Sequence, residues 1–158
     1  MFVRRDAAIV DVDGTLVDVS SVRHHIVARD ADGNYLSRNF DKFHRDAIDC
    51  PPIKESIRQV KSWHDDEGLD ILIVTARSQR YGRMTAFWLA MHDVPSTVMI
   101  MRREGDMRKD YDVKRDILRH NILPAWNPVK ALDDNPHVIT LWEEFMIPDI
   151  HVVPGYEE

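Results

Sequence analysis

The stretch Ala7-Ala8-Ile9-Val10-Asp11-Val12-Asp13-Gly14-Thr15 decides the fold. Ala7 to Val12 is a short apolar run ended by acidic residues and Gly14, and it reads as a buried strand. In a continued strand Asp11 and Asp13 would point the same way and repel each other. Gly14 lets the chain turn sharply just there. The pair is then either a loop of solvated acids or the start of a site that needs a cation.

Working outward, periodicity is weak from Thr15 to about Cys50, a stretch that carries Asp32-Gly33-Asn34 as a hairpin turn. After Pro51-Pro52, the residues Ile53, Ile57, Val60 and His64 mark one face of a helix that Gly68 stops. Leu69 to Thr75 reads as a second buried strand. Tyr81, Met84, Trp88 and Met91, widened by Phe87 and Leu89, form a helical stripe that reads as core packing. Val98–Met101 and Val129–Leu132 are further strands, separated by a helix from about Tyr111 to His120 with Val113, Ile117 and Leu118 inward. Asn135-Pro136 supplies a cap and a first-turn proline for a helix with Val138, Leu141, Trp142 and Phe145 on one side. Ile150 to Val153 closes the set.

Strand and helix alternate from residue 53 onward, which predicts an open parallel α/β sheet. Ligands of such sheets bind beyond the carboxyl ends of the strands. Asp11, Asp13, Thr75, Arg77, Asp133 and Asp134 all fall at or just past predicted strand ends. Four carboxylates on one sheet edge require a cation, and oxygen-only ligands suit Mg²⁺. Asp11, Asp13, Asp133 and Asp134 are therefore the candidate metal ligands.

The composition is that of a globular chain. At 158 residues the chain fits one domain, 1–158. Its 44% hydrophobic and 30% charged residues exclude a disordered chain. No apolar run approaches a membrane span, and Met1 to Asp6 leads into a poor signal peptide. One cysteine, Cys50, excludes an internal disulfide and suits a reducing cytoplasm; it reads as a packed residue, not a nucleophile. The eight histidines show no metal-ligand spacing, so zinc is not expected. A net charge of −6 argues against nonspecific coating of nucleic acid. Local basic stretches remain: Arg77, Arg80 and Arg83, then Arg102, Arg103, Arg108 and Lys109.

Asp11-Val12-Asp13-Gly14-Thr15, Thr75 after an apolar strand, Lys114, and Asp133-Asp134 occur in the order of four motifs. On these the chain resembles the haloacid dehalogenase superfamily of phosphohydrolases. The stretches Arg80–Thr85 and Arg102–Asp110, with Lys114 and Ala131–Asp134, are similar to the phosphatase half of phage polynucleotide kinase/phosphatases. The resemblance runs from about residue 7 to 153.

It implies an open Rossmann-like parallel sheet with helices on both faces, and a flap or small cap at 15–50. It also implies Mg²⁺-dependent removal of a 3′-phosphate from DNA or RNA ends. Asp11 would be the nucleophile and Asp13 the acid/base, with a main-chain carbonyl on the metal. Thr75 and Arg77 would hold the phosphoryl group, and Lys114 would keep Asp11 ionised, oriented by Asp110. Arg83, Arg102, Arg103 and Arg108 are expected to contact substrate phosphates. Plainer readings stand beside these: Thr75 as a cap, Lys114 as a surface residue paired with Asp110, the arginines as surface charge. The kinase half's phosphate-binding loop is absent, so 5′-phosphorylation is not expected from this chain, and a separate kinase or ligase is a candidate partner. The phage resemblance suggests action in a host cytoplasm. A phosphatase of free nucleotides or small esters, or an idle end-binding module, are the competing functions.

Overall fold

The structure, a computed structural model, describes residues 2–157; the outermost residues of the expected domain, Met1 and Glu158, lie outside it. Five strands form a single sheet: β1 (Arg5–Val10), β2 (Asp70–Ser78), β3 (Val98–Arg102), β4 (Trp126–Asp133) and β5 (Asp149–Val152). Their order is β3-β2-β1-β4-β5, and every neighbouring pair is parallel. Six helices accompany them: α1 (His24–Val27), α2 (Phe40–Asp46), α3 (Lys54–Asp65), α4 (Gly82–Met91), α5 (Asp110–Ile117) and α6 (Pro136–Glu144).

Alternation along the strands sorts the core into two layers. Ala8, Val10, Ile71 and Ile73 face α3 and α4, where Val60, Trp63, Trp88 and Leu89 meet them. Ala7, Ile9, Leu72 and Val74 face the other way, onto Val113 and Ile117 of α5 and Val138, Leu141 and Trp142 of α6. Both faces are covered, as a parallel sheet requires, because strands buried on two sides carry no polar row.

The chain winds outward from β1 through β2 to β3, then returns to place β4 and β5 on the opposite side of β1. The order reverses between β1 and β4, so their carboxyl ends bound the crevice in which such sheets bind ligands. Asp11 follows β1, its amide donating to Leu132 O at 3.0 Å, and Asp133 ends β4. The first acidic motif and the last are thus neighbours in space.

Several expectations shift in detail. In α3 the buried stripe is Ser56, Ile57, Val60 and Trp63, and His64 is exposed. In α4 Thr85, Trp88 and Leu89 are inward while Phe87 and Met91 face solvent. β4 starts at Trp126, ahead of the expected Val129, because a register shift opposite Ala7/Ala8 accommodates Pro128 in the ladder.

Residues 12–53, between β1 and α3, carry α1, α2 and the expected hairpin. Arg29 and Tyr35 bridge across it, Gly33 takes φ +83°, and the Asp30 carboxylate accepts from the amides of Asp32 and Asn34. Its base is packed into the core by Val12, Leu16, Val17, Val19, Val22, Phe43 and Ala47. Residues 29–40 are all exposed.

Candidate active site

Lys114, on α5, is 2% exposed and bridges two carboxylates: its Nζ donates to Asp11 Oδ1 and to Asp133 Oδ2, both at 2.8 Å. A buried ammonium ordinarily loses its proton, but these two anions outweigh burial and hold Lys114 firmly charged. The reading of Lys114 as a surface partner of Asp110 does not hold. Asp110 accepts instead from Arg102, at 2.8 Å.

Asp133 and Asp134 have different neighbours. Both oxygens of Asp133 are engaged at short range, one by Lys114 and the other by the amide of Asn135 at 3.0 Å. Asp134 has only longer contacts, from Thr15 Oγ1 and the Arg23 guanidinium, each at 3.3 Å. Thr15 Oγ1 also lies 3.0 Å from Asp11 Oδ2, and a hydroxyl has one proton to give. Oxygens of Asp11, Asp133 and Asp134 come within 4.8 Å of one another. Burial and the nearby Asp11 charge push the carboxyls of Asp133 and Asp134 upward. Three buried acids against one lysine and one arginine leave excess negative charge, and an all-oxygen donor set of this kind fits a hard divalent cation.

Gly14 completes this floor. Its φ is +75°, and a Cβ placed on it would lie 2.0 Å from Asp134 Oδ2. Any other residue would both strain the turn and displace the acid that the turn brings close.

Asp13 lies to one side, 22% exposed, in the fork of Arg77: Nε donates to Oδ2 at 2.8 Å and Nη2 to Oδ1 at 2.5 Å. The remaining Arg77 nitrogen donates to Thr85 Oγ1 at 3.1 Å, which in turn donates to Tyr81 O. Burial raises the Asp13 carboxyl, and the Arg77 guanidinium more than reverses it, leaving the group below its ordinary 3.8. Arg77, expected on the phosphate, is spent on this acid in the structure. Thr75 is buried at the end of the β2 core, its Oγ1 accepting from the Arg77 amide at 3.1 Å, with its own O–H left to donate.

The remaining basic residues divide. Arg102 donates to the carbonyls of Ala76, Asp106 and Arg108 and to Asp110, stapling its own loop. Arg108 pairs with Asp106 and Asp116. Neither is offered to a ligand. Arg83 and Arg103 are exposed and make no side-chain bond among the described residues. Cys50 is buried against Ser21, and burial raises its thiol, which suits an inert packed residue. Sequence reasoning missed Arg23 and His44, both in the weakly periodic segment expected as a flap; only the fold shows that their side chains reach the site.

A Rossmann-like sheet with an Asp-x-Asp after its central strand, a buried lysine on that first acid and an acidic pair on the adjacent strand defines a phosphatase of the haloacid dehalogenase type. The family model "Polynucleotide kinase PNKP phosphatase domain" matches residues 5–156, and the chain belongs to that family. A protein of the Autographa californica nuclear polyhedrosis virus, named "Putative bifunctional polynucleotide kinase/RNA ligase", is 26% identical over 111 residues, covering 70% of this chain and 15% of that protein. Among solved structures, a chain of the Pnkp1/Rnl/Hen1 complex aligns with a TM-score of 0.78 and 19% identity, over 98% of this chain and 48% of the other. A class C acid phosphatase from Bacillus anthracis, with tungstate bound, aligns with a TM-score of 0.63 and 15% identity, over 98% and 69%. The chain thus spans under half the length of its first relatives. Among the described residues no helix is long and apolar enough to cross a membrane.

Proposed function

We propose that the protein removes 3′-phosphate groups from DNA or RNA ends, with Asp11 as nucleophile and Mg²⁺ as cofactor. The observation that carries the chemistry is Lys114 bridging Asp11 and Asp133 at 2.8 Å in a buried setting, which pairs the nucleophile with a fixed positive charge and holds it in place. The family and its kinase/ligase relative support a polynucleotide end as substrate. So does the absence of a large enclosing cap in residues 12–53, which carry two short helices and a hairpin.

A carboxylate oxygen of Asp11 forms the new bond to phosphorus as the bond from phosphorus to the 3′-oxygen breaks. Asp13 delivers a proton to that oxygen. Water then attacks the aspartyl-phosphate, Asp13 takes the water's proton, and inorganic phosphate leaves with Asp11 restored. Arg77 keeps Asp13 deprotonated at rest; the negative charge of an arriving phosphate raises its proton affinity when an acid is needed. Thr75 donates its free O–H, and the Ala76 amide its N–H, to the transferring phosphoryl oxygens. Asp134, with Asp11 and the Asp13 carbonyl, would hold the cation, which neutralises charge on the phosphoryl oxygens. Asp133 serves by holding Lys114. Arg83 and Arg103 contact backbone phosphates of the strand.

The test is Mg²⁺-dependent phosphate release from a 3′-phosphorylated oligonucleotide, a 5′-phosphorylated one and a mononucleotide. Preference for the first supports the reading. Equal rates on all three would sink the end-specific part, and no release on any would favour an idle end-binding module. The relatives' names support a kinase or ligase activity as the proposed partner, and a cytoplasm is the proposed site of action.

A further inference from the structure

One polar atom beside the acid/base is buried and unused. His44, on α2, has a ring 12% exposed, and its Nδ1 has no hydrogen-bond partner. That nitrogen lies 3.9 Å from Asp13 Oδ2. The separation is too long for a hydrogen bond, which needs about 2.7–3.2 Å, so about 1 Å of movement would make one. A buried nitrogen left unpaired is destabilising, a penalty that a structural ring would avoid by being Phe.

The ring is firmly aimed. It meets Phe43 edge-on at 5.1 Å between centroids and packs on Tyr81 at 4.9 Å. The Tyr81 hydroxyl donates to Asp41 Oδ1 at 2.5 Å, tying α2 to the residues that follow β2. Asn39 caps the helix by accepting from the Lys42 amide at 2.9 Å. Burial is the largest influence on the imidazole and favours its neutral form; Asp13 and Asp41 oppose it and Arg77 and Arg102 reinforce it, for a net value of about 4. A neutral ring has one N–H to give, and the Asp13 carboxylate, filled on one side by Arg77, has lone pairs left to take it.

We propose that His44 is a positioning residue for Asp13: its Nδ1–H donates to Asp13 Oδ2 once α2 settles over bound substrate. Arg77 then holds the acid from the β2 side and His44 from the inserted segment. The acid is correctly placed only when that segment is seated. Among the described residues His44 makes no hydrogen bond or ion pair with Asp11, Lys114, Asp133 or Asp134, and its one charged neighbour at short range is Asp13, the residue proposed to move protons. This inference rests on Asp13 being the acid/base, and it does not depend on a polynucleotide substrate.

Two esters separate the roles. An alkyl phosphate needs a proton delivered to its leaving oxygen, whereas p-nitrophenyl phosphate leaves as a stabilised phenolate and hardly needs one. His44→Phe keeps the ring and removes the nitrogen. Its kcat on an alkyl phosphate is expected to fall about 30-fold with KM within about twofold, as partial loss of acid catalysis would give. Its kcat on p-nitrophenyl phosphate is expected to fall less than about threefold, and His44→Asn, which returns an N–H near the Nδ1 position, to recover part of the alkyl rate. Thermal melts of both variants show that they fold. Equal losses on the two esters, or unchanged kcat on the alkyl ester, would overturn the proposal. The wild-type preference among phosphorylated ends reports on the proposed substrate, and only the ester ratio in the variants reports on His44.

Discussion

The two acids of the opening motif are two residues apart and belong to different regions. Asp11 sits on a floor whose other members are Lys114, Asp133 and Asp134, supplied by strand ends and by a helix packed on the sheet. Asp13 sits on a wall, partly exposed, between the Arg77 fork and His44 from the inserted segment. The first is held by a buried point charge that it shares with another acid. The second is held by a planar fork that depresses its proton affinity. Under the proposed function one residue type serves two tasks, attack on phosphorus and proton transfer. Neighbours make the difference.

The largest effect should come from the floor. Asp11→Asn is expected to lower single-turnover phosphate release by about 10⁴-fold or more, as removal of a nucleophile does. Its thermal midpoint should not fall, because the change removes one of three crowded acids. Near-normal turnover would refute the nucleophile. Lys114→Met should act on stability as well. Breaking a buried, bridged charge leaves Asp11 and Asp133 uncompensated, and such losses run to about 3–5 kcal/mol. Denaturant unfolding in the presence of a chelator measures it. A change within about 0.5 kcal/mol would mean that the floor is not the rigid half of the comparison.

Much of the floor was legible in the chain. Asp11, Lys114, Asp133 and Asp134 stand at or near the ends of regular elements, and regular elements announce themselves by apolar periodicity. The alternation of strands and helices predicts a parallel sheet, but the order that makes β1 and β4 neighbours is seen only in the fold. The wall was less legible. Arg77 could be named, yet its partner could not, since phosphate and Asp13 offer a guanidinium the same geometry. His44 and Arg23 lie in a segment without periodicity, where side-chain direction is set by packing on Tyr81 and on the strand ends. Pro128 hid the start of β4 for a similar reason: a bulge is a property of two strands together, and no single stretch displays it.

Removal of the cation should separate the two regions by a smaller amount. In chelator, Asp133 and Asp134 are held above the ordinary carboxyl value of 3.8 by burial and by Asp11. A carboxyl raised on folding binds more protons folded than unfolded. Stability should therefore fall as pH rises above that value, and a divalent cation should reverse the fall. At a concentration near 100 times its dissociation constant the cation adds about 2.7 kcal/mol. Asp134→Asn is expected to raise stability in chelator, flatten the pH dependence and abolish most of the cation's stabilising effect. An unaltered cation response in that variant would exclude Asp134 as a ligand. Asp13→Asn serves as the control from the wall, because Asp13 contributes only a main-chain oxygen to the proposed metal site.

The smallest effects belong to the arginines outside both regions, and two of them test whether exposure or pairing decides a role. Arg108 is already neutralised by Asp106 and Asp116. Arg103 is exposed with its charge unspent among the described residues. If a strand of nucleic acid follows the surface leading to Asp13, its phosphates gain more from a free guanidinium than from one that must first leave two carboxylates. Arg103→Ala should raise KM for a 3′-phosphorylated oligonucleotide and reduce the slope of log affinity against log salt by about one unit, the signature of one lost phosphate contact. Arg108→Ala should change KM by less than about twofold and leave that slope unaltered, as expected for a charge bound to its own protein. Kinetics at several salt concentrations with both variants decide the point. Equal slopes in the two would place neither arginine on the strand's path, and the substrate would then be gripped at the site itself.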